Sequence, residues 1–376
     1  MMKYKLVSCI AVLVLCFALL PGRFPVYASE PVQVRLGYCE SDPYVEFDTQ
    51  LYYLILGMEE YGLLTQASEL LNREMTAKEI WSAMSSINAP EWKVHFAGDM
   101  FVSLSDSQFS DQPEKKIDRM IAQNQVDLLL TFGTNGGLTA ADLESGIPQM
   151  NFVSADPCKT GIVRQTETSG IKNRWAHIDV DAFNRTIKVM ADIFSPGSVG
   201  VVYSDNDDAY VYSGADVLDE FCRDNGITVY REFVKDSFDA SDHQTYLQQM
   251  RKAHEKLADK IEVYVMTTSL LEPDEYAYAL EPMLEKKIPI YSINSSHDVE
   301  CGALMAAEPF DFPNIGRFGA DILKRYLEGE PLESLPQIYQ TAPFLVINYS
   351  TARKIGYRPS FDMLLSASYI YSDFLG

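Results

Sequence analysis

Two hydrophobic periods alternate along this chain. Val32 to Gly37 reads as a strand, and Asp48 to Tyr61 then places Leu51, Leu54, Ile55, Met58 and Tyr61 at helical spacing. The step recurs: Trp92 to Phe96 is strand-like, Pro113 to Gln123 sets Ile117, Met120 and Ile121 on one helical face, and Val126 to Phe132 is an almost unbroken apolar run. Such a run suits a strand covered on both faces of a parallel sheet. Gln149 to Val153 reads as a strand and Phe183 to Phe194 as a helix. After Pro196 and Gly197 a second series begins. Val199 to Tyr203, Thr228 to Phe233, Ile261 to Met266 and Ile288 to Ile293 read as strands, separated by helical stretches at Gly214 to Asn225, Asp242 to Leu257 and Glu275 to Lys286.

Alternation repeated in two series predicts an α/β protein of two Rossmann-like lobes, each an open parallel sheet with helices on both faces. Ligands of such sheets sit outside the carboxyl ends of the strands. The segments there are Tyr38-Cys39-Glu40-Ser41, Thr131-Phe132-Gly133-Thr134-Asn135-Gly136-Gly137, Ser154-Ala155-Asp156, Ser204-Asp205-Asn206, Thr267-Thr268-Ser269 and Ser292-Ile293-Asn294-Ser295-Ser296. Each hydroxyl, amide or acid among them also serves as a helix cap or turn former. As a set, repeated at the ligand edge of both lobes, they point to a polar cleft.

The N-terminus changes the picture of where the chain works. Lys3 and Lys5 precede an apolar run from Leu6 to Leu20, Pro21 and Gly22 end it, and Val26-Tyr27-Ala28 follows. This is a signal-peptide pattern with cleavage expected after Ala28, hence export to the periplasm. Cys9 lies too close to Lys5 for a lipobox and Cys16 follows Leu15 where a small residue is required, so lipidation is not expected. The remaining chain of about 350 residues exceeds what one core sustains, which again predicts two domains. A net charge of −22 argues against nucleic acid, since phosphate contacts need clustered Lys and Arg. Beyond the leader stand Cys39, Cys158, Cys222 and Cys301; their spacing matches no zinc pattern, and Cys39 with Cys158 is the favoured pair should a disulfide form. No nucleophile elbow, HExxH, P-loop or dinucleotide fingerprint occurs in the required context, so no enzyme, cofactor or metal site is expected.

Several motifs then fall in a specific order: Asp156-Pro157 with Gly161-Ile162-Val163, Gly200-Val201-Val202-Tyr203, Asn225-Gly226-Ile227, Gly302-Ala303, Gly316 before Ala320-Asp321-Ile322-Leu323, Gly329-Glu330-Pro331, and Ile347-Asn348 with Ala352 and Ile355-Gly356. From Val34 to Pro359 this order resembles the ABC transporter substrate-binding proteins of the tryptophan and tyrosine type, built on the type I periplasmic binding protein fold. The resemblance implies a hinge of three crossings, near His177 to Asp179, Leu304 to Ala306 and Phe344 to Ile347. The N-terminal lobe would be 29–177 plus about 304–335, and the C-terminal lobe 178–303 plus about 336–376.

The resemblance also implies a monomer that closes on a small ligand, by default an aromatic amino acid, and hands it to an ABC permease and ATPase. A module presenting its closed form to a membrane signalling partner is the alternative. For a zwitterion in this fold, Thr131, Thr134, Asn135 and Gly136 at a helix start would take the anionic end, and Glu40, Asp156 and Asp205 the ammonium. Tyr38, Phe132 and Tyr210 could stack on a flat ligand. Ser41, Asn206, Thr267, Ser269, Asn294 and Ser295 complete the expected lining. The chain departs from the family pattern at Lys172-Asn173-Arg174-Trp175-Ala176, at Ala209-Tyr210 and in the Thr131 to Gly137 loop; Trp175 reads either as a cleft residue or as core.

Overall fold

The computed structural model describes residues 33–235, 243–267, 270–308 and 310–372. The leader with its expected cleavage point, and Ser269, lie outside them. The first sheet contains β1 (Val34–Glu40), β2 (Val94–Ser103), β3 (Leu128–Phe132), β4 (Gln149–Phe152) and β5 (Arg174–Ala176), all parallel in the order β2-β1-β3-β4-β5. Strand periodicity sends alternate side chains to two layers. Leu36, Tyr38, Leu128, Leu130 and Phe132 pack beneath the helix Val45–Glu60, while Cys39, Leu129, Met100 and Val102 pack with Ile117 and Ile121 of the helix Pro113–Asn124. With helices on both faces, β3 is buried at every residue, which explains its continuous apolar sequence.

The second sheet contains β6 (Ser198–Ser204), β7 (Thr228–Val234), β8 (Val263–Met266), β9 (Ile290–Ser292), β10 (Met305–Glu308), β11 (Phe344–Asn348) and β12 (Ala367–Tyr371) in the order β12-β11-β10-β9-β8-β6-β7. Its pairs are parallel except β10 with β11. The two sheets place the protein in the α/β class with two parallel-dominated lobes. Among the described residues no helix is long and apolar enough to cross a membrane.

The backbone passes between the sheets after β5, after β10 and before β11. The first and last passages run side by side: Ile178 bridges Ile338, Ile178 N–H donates to the Gln337 carbonyl at 2.9 Å and Tyr339 N–H to the Ile178 carbonyl at 3.1 Å. Leu304 to Ala306 and Phe344 to Ile347 were expected as crossings; instead β10 and β11 pair with each other inside the second sheet, so those passages fall after Glu308 and before Phe344. Both segments are apolar, and burying their backbone in a sheet satisfies its hydrogen bonds.

After the second passage the helix Phe312–Leu327 returns to the first lobe and crosses Val45–Glu60 at backbone contact. A Cβ on Gly316 would stand 2.5 Å from the Tyr53 carbonyl carbon and oxygen, and one on Gly57 2.8 Å from the Gly316 oxygen. Backbone cannot rotate away as a side chain can. Gly316→Ala is therefore expected to push the helices apart and destabilise the protein by about 3 kcal/mol, read from urea denaturation, the upper end of ordinary overpacking costs.

The four described cysteines are free. Cys39 faces the layer of Ala97, Met100 and Val102, whereas Cys158 lies against Ile162 and Val163 in a separate cluster, so the favoured pair is not formed.

Candidate functional site

A cavity of about 350 Å³ opens between the two sheets at the carboxyl ends of their strands. From the first lobe, Ser41, Asp42, Pro43 and Tyr44 follow β1, Gly133, Thr134 and Asn135 follow β3, and Val153, Ser154 and Ala155 follow β4. The second lobe contributes Tyr203, Ser204, Asn206 and Asp208 around the end of β6, Tyr212 and Ser213 beyond them, and Asn294 after β9. Phe47, Phe183, Tyr246 and Phe310 add aromatic walls.

Local geometry explains how these side chains are held. Ser41 N–H donates to the Phe132 carbonyl at 3.2 Å, and the Gly136 N–H donates to Ser41 Oγ at 3.1 Å, which ties the loop after β1 to the start of the helix Gly133–Ala141. Gly133 adopts φ +76°, and a Cβ there would meet Ser41 Oγ at 2.5 Å and Phe47 Cζ at 2.7 Å. Only glycine permits both the left-handed turn and that approach. Across the cleft, Asn206 Oδ1 accepts from Ala209 N–H at 2.7 Å and caps the helix Asp207–Tyr212. Asn294 Nδ2 donates to the Tyr44 hydroxyl at 2.6 Å, and Lys159 pairs with Asp216; each contact joins one lobe to the other.

Of the expected lining, Ser41, Thr134, Asn135, Asn206 and Asn294 reach the cavity. The remaining described positions do not. Tyr38 and Phe132 are fully buried and stack on each other with ring centroids 4.9 Å apart, because both point to the layer beneath Val45–Glu60. Glu40 is buried and accepts from the Tyr38 hydroxyl at 2.6 Å; burial pushes its carboxyl up to about 8, which makes it a poor anchor for an ammonium. Thr131 faces inward and its Oγ1 accepts from Asn151 Nδ2 at 3.0 Å. The Gly136 N–H assigned to the anionic end is already taken by Ser41.

Asp156 is exposed and its Oδ1 accepts from the N–H groups of Cys158 and Lys159 at 3.1 and 2.9 Å, the turn role open to any Asp-Pro. Trp175 is core: it is wholly buried between Phe152 and Phe318 and its Nε1 donates to the Pro336 carbonyl at 2.8 Å. Asp205 is exposed outside the lining, Tyr210 donates to Asp219 at 2.9 Å, Thr267 donates to the Val202 carbonyl at 2.8 Å, and Ser295 is buried with its N–H on Ser292 Oγ at 3.1 Å.

Aromatic walls were expected, but from other residues than these. Tyr44 and Phe47 stand at the start of the first helix and Phe183 in the first turn after a passage, positions that directly follow the strand ends and could have been read as cleft-facing. Tyr246 and Met250 share the face of their helix that also carries core residues, and nothing in the spacing separates them from that core.

Two carboxylates, Asp42 and Asp208, border the cavity, and no lysine or arginine is among the described residues that line it. Its size falls in the range of about 300–1,000 Å³ typical of small-molecule sites. Among the described residues no group of three His, Cys, Asp or Glu side chains is placed to hold a metal ion.

The fold is shared with several solved structures. The chain is similar to the ABC domain in complex with L-Trp from Streptococcus pneumonia, at 15% identity over 90% of this chain and 99% of that one with a TM-score of 0.67. It is similar also to a conserved domain protein from Vibrio cholerae, at 19% identity, 90% and 99% coverage and a TM-score of 0.65. A ligand-free, open substrate binding protein with adhesive properties from Clostridium difficile gives 17% identity, 90% and 100% coverage and a TM-score of 0.60. These likenesses place the fold as the type I periplasmic binding protein fold. No curated protein sequence matches the chain. The family model described as ABC transporter substrate binding protein matches residues 100–369, which take in all three passages between the sheets, and the chain belongs to that family.

Proposed function

We propose that this protein captures a small, flat ligand in the interlobe cleft outside the cytoplasm and delivers it to the permease and ATPase of an ABC importer, with an aromatic amino acid as the first candidate. The observation that carries this reading is the cavity itself: aromatic walls from both lobes around a polar rim of hydroxyls and amides at the strand ends. Tyr44, Phe47, Phe183 and Phe310 suit offset stacking on a ring. Thr134 and Asn135 open the helix Gly133–Ala141, whose N-terminus favours a carboxylate without needing a cationic side chain. Asp42 and Asp208 disfavour a ligand of net negative charge and suit a zwitterion or a neutral molecule.

The tryptophan bound by the pneumococcal structure supports the aromatic candidate at the level of fold, and family membership supports an importer over a signalling partner. Binding without chemistry is expected. Closure would shift an equilibrium between open and closed lobes, with Tyr44–Asn294 and Lys159–Asp216 made in the closed form.

A thermal-shift screen against amino acids, aromatic metabolites and nucleosides tests the reading. Ligand at a hundredfold excess over its Kd should stabilise the protein by about 2.7 kcal/mol. A selective rise with tryptophan, tyrosine or phenylalanine is expected. A rise confined to another class would replace the aromatic candidate, and silence across the library would overturn the cleft reading.

A further inference from the structure

On the hinge side of the cleft lies a second cavity of about 20 Å³, which shares Val153, Ser154, Ala155, Phe183 and Phe310 with the large one. Its polar wall is Gln50, His177 and Asp179. Gln50 comes from the helix Val45–Glu60, is wholly buried, and has no hydrogen-bond partner at either its amide nitrogen or its oxygen. Asp179 lies in the first passage between lobes, with its side chain 4% exposed. Its Oδ2 accepts from Arg185 at 2.7 Å, while its Oδ1 is buried without a partner. Arg185 also donates to the Val180 carbonyl at 2.6 Å, and its Nε is buried without a partner. His177 Nε2 meets the Tyr339 carbonyl at 3.0 Å, and burial pushes its imidazole down to about 4, so the ring is neutral.

Buried polar groups without partners are uncommon and costly, and here an amide and a carboxylate oxygen border the same small space beside a ligand cleft. That space admits one small polar group. Two oxygen acceptors, one of them on a carboxylate, select a group with several N–H donors and positive charge. Resting on the cleft reading above, we propose that this annex is the subsite for the protonated amino group of the cleft ligand, read by Gln50 and Asp179. The ring would then occupy the large cavity between the aromatic walls. Since the annex is built from a first-lobe helix and two passages of the hinge, filling it would also link ligand recognition to closure.

Titration calorimetry on the whole chain and on Gln50→Leu tests this with paired probes: L-tryptophan and indole-3-propionate, L-phenylalanine and 3-phenylpropionate, L-tyrosine and 3-(4-hydroxyphenyl)propionate. The expected result is that the native protein prefers an amine-bearing member about tenfold or more, and that Gln50→Leu erases this preference by weakening that member alone, the scale of a hydrogen bond to a charged group. The melting temperature of the ligand-free variant should hold or rise, because an unpaired buried amide has been replaced by an apolar side chain of similar size. Gln50→Glu should keep the preference. Equal binding of amine and des-amino partners by the native protein would overturn the subsite and leave the cleft reading standing. So would a Gln50→Leu variant that melts earlier and weakens both partners alike, the signature of an amide held by internal water. Binding of none of the six probes overturns the aromatic candidate, and the subsite with it.

Discussion

Replacing Ala155 by tryptophan is expected to abolish ligand binding while leaving the protein folded. Ala155 follows β4 and borders both the large cavity and the annex, and it is only half-buried, so an added side chain need not enter the close-packed core. An indole at this position occupies much of a 350 Å³ space that would otherwise hold the ligand. Any compound that stabilises the native protein should lose at least about a hundredfold in affinity, about 2.7 kcal/mol. Its thermal shift should vanish, while the melting temperature of the ligand-free variant changes little. An undiminished shift in Ala155→Trp would place the ligand outside this cavity.

Stability is expected to fall as pH rises from 5.5 to 8.5, and the cause lies where the lobes meet. Glu308 at the end of β10 is buried with its carboxyl pushed up to about 8 by desolvation, despite accepting from the N–H groups of Ser296 at 2.6 Å and Phe310 at 3.2 Å. Glu46, on the first-lobe helix Val45–Glu60, is raised to about 7, again chiefly by burial, with the Tyr44 and Ser295 hydroxyls acting in the opposite direction and Asp298 reinforcing the rise. The negative charge of Glu46 also raises Glu308. Glu40, buried at the end of the inner strand β1, is raised to about 8.

For each, the folded protein holds a proton that the unfolded chain has already released above the ordinary carboxylate range. The folded state therefore binds more protons between about pH 4.5 and 8, and its stability declines with rising pH across that window. Each group that remains protonated only in the folded state contributes about 1.4 kcal/mol per pH unit. The buried His177 and His254, pushed down to about 4 by desolvation, oppose the trend below about pH 6.5 without reversing it.

Urea denaturation at pH 5.5, 7 and 8.5 should show a loss on the order of several kcal/mol, and Glu308→Gln should flatten the profile. A profile flat from 5.5 to 8.5 in the native protein would show that these carboxyls ionise normally. Since Glu46 and Glu308 belong to opposite lobes, their joint ionisation also opposes closure, and ligand affinity should weaken in the same direction.

The layout of strands and helices was readable because it depends on local periodicity. Helices over Pro113–Asn124 and Ala215–Asn225, and strands such as β3 and β6, fall within a residue or two of where apolar spacing puts them. The exceptions are instructive. The family resemblance put crossings near Leu304 to Ala306 and Phe344 to Ile347, yet these segments hydrogen-bond to each other across more than thirty intervening residues.

The edge on which a ligand would sit was legible for the same reason: it is the carboxyl end of every strand in a parallel sheet, whatever the side chains. What the sequence by itself determined was therefore the class of fold, the two-lobed plan, and the loops that border the cleft. Which residue of each loop faces that cleft was decided only in three dimensions. Strand pleating separates Ser41, which reaches the cavity, from Tyr38 and Glu40, which lie under the sheet, within the same short run. Trp175 was drawn into the core by Phe152 and Phe318, one of them far along the chain, and Phe310 was brought to the cleft by the second passage between lobes. Periodicity carries the first kind of information because it acts over a few residues; the orientation of a side chain at a strand end depends on register and on the approach of the opposite lobe, and no local pattern encodes either.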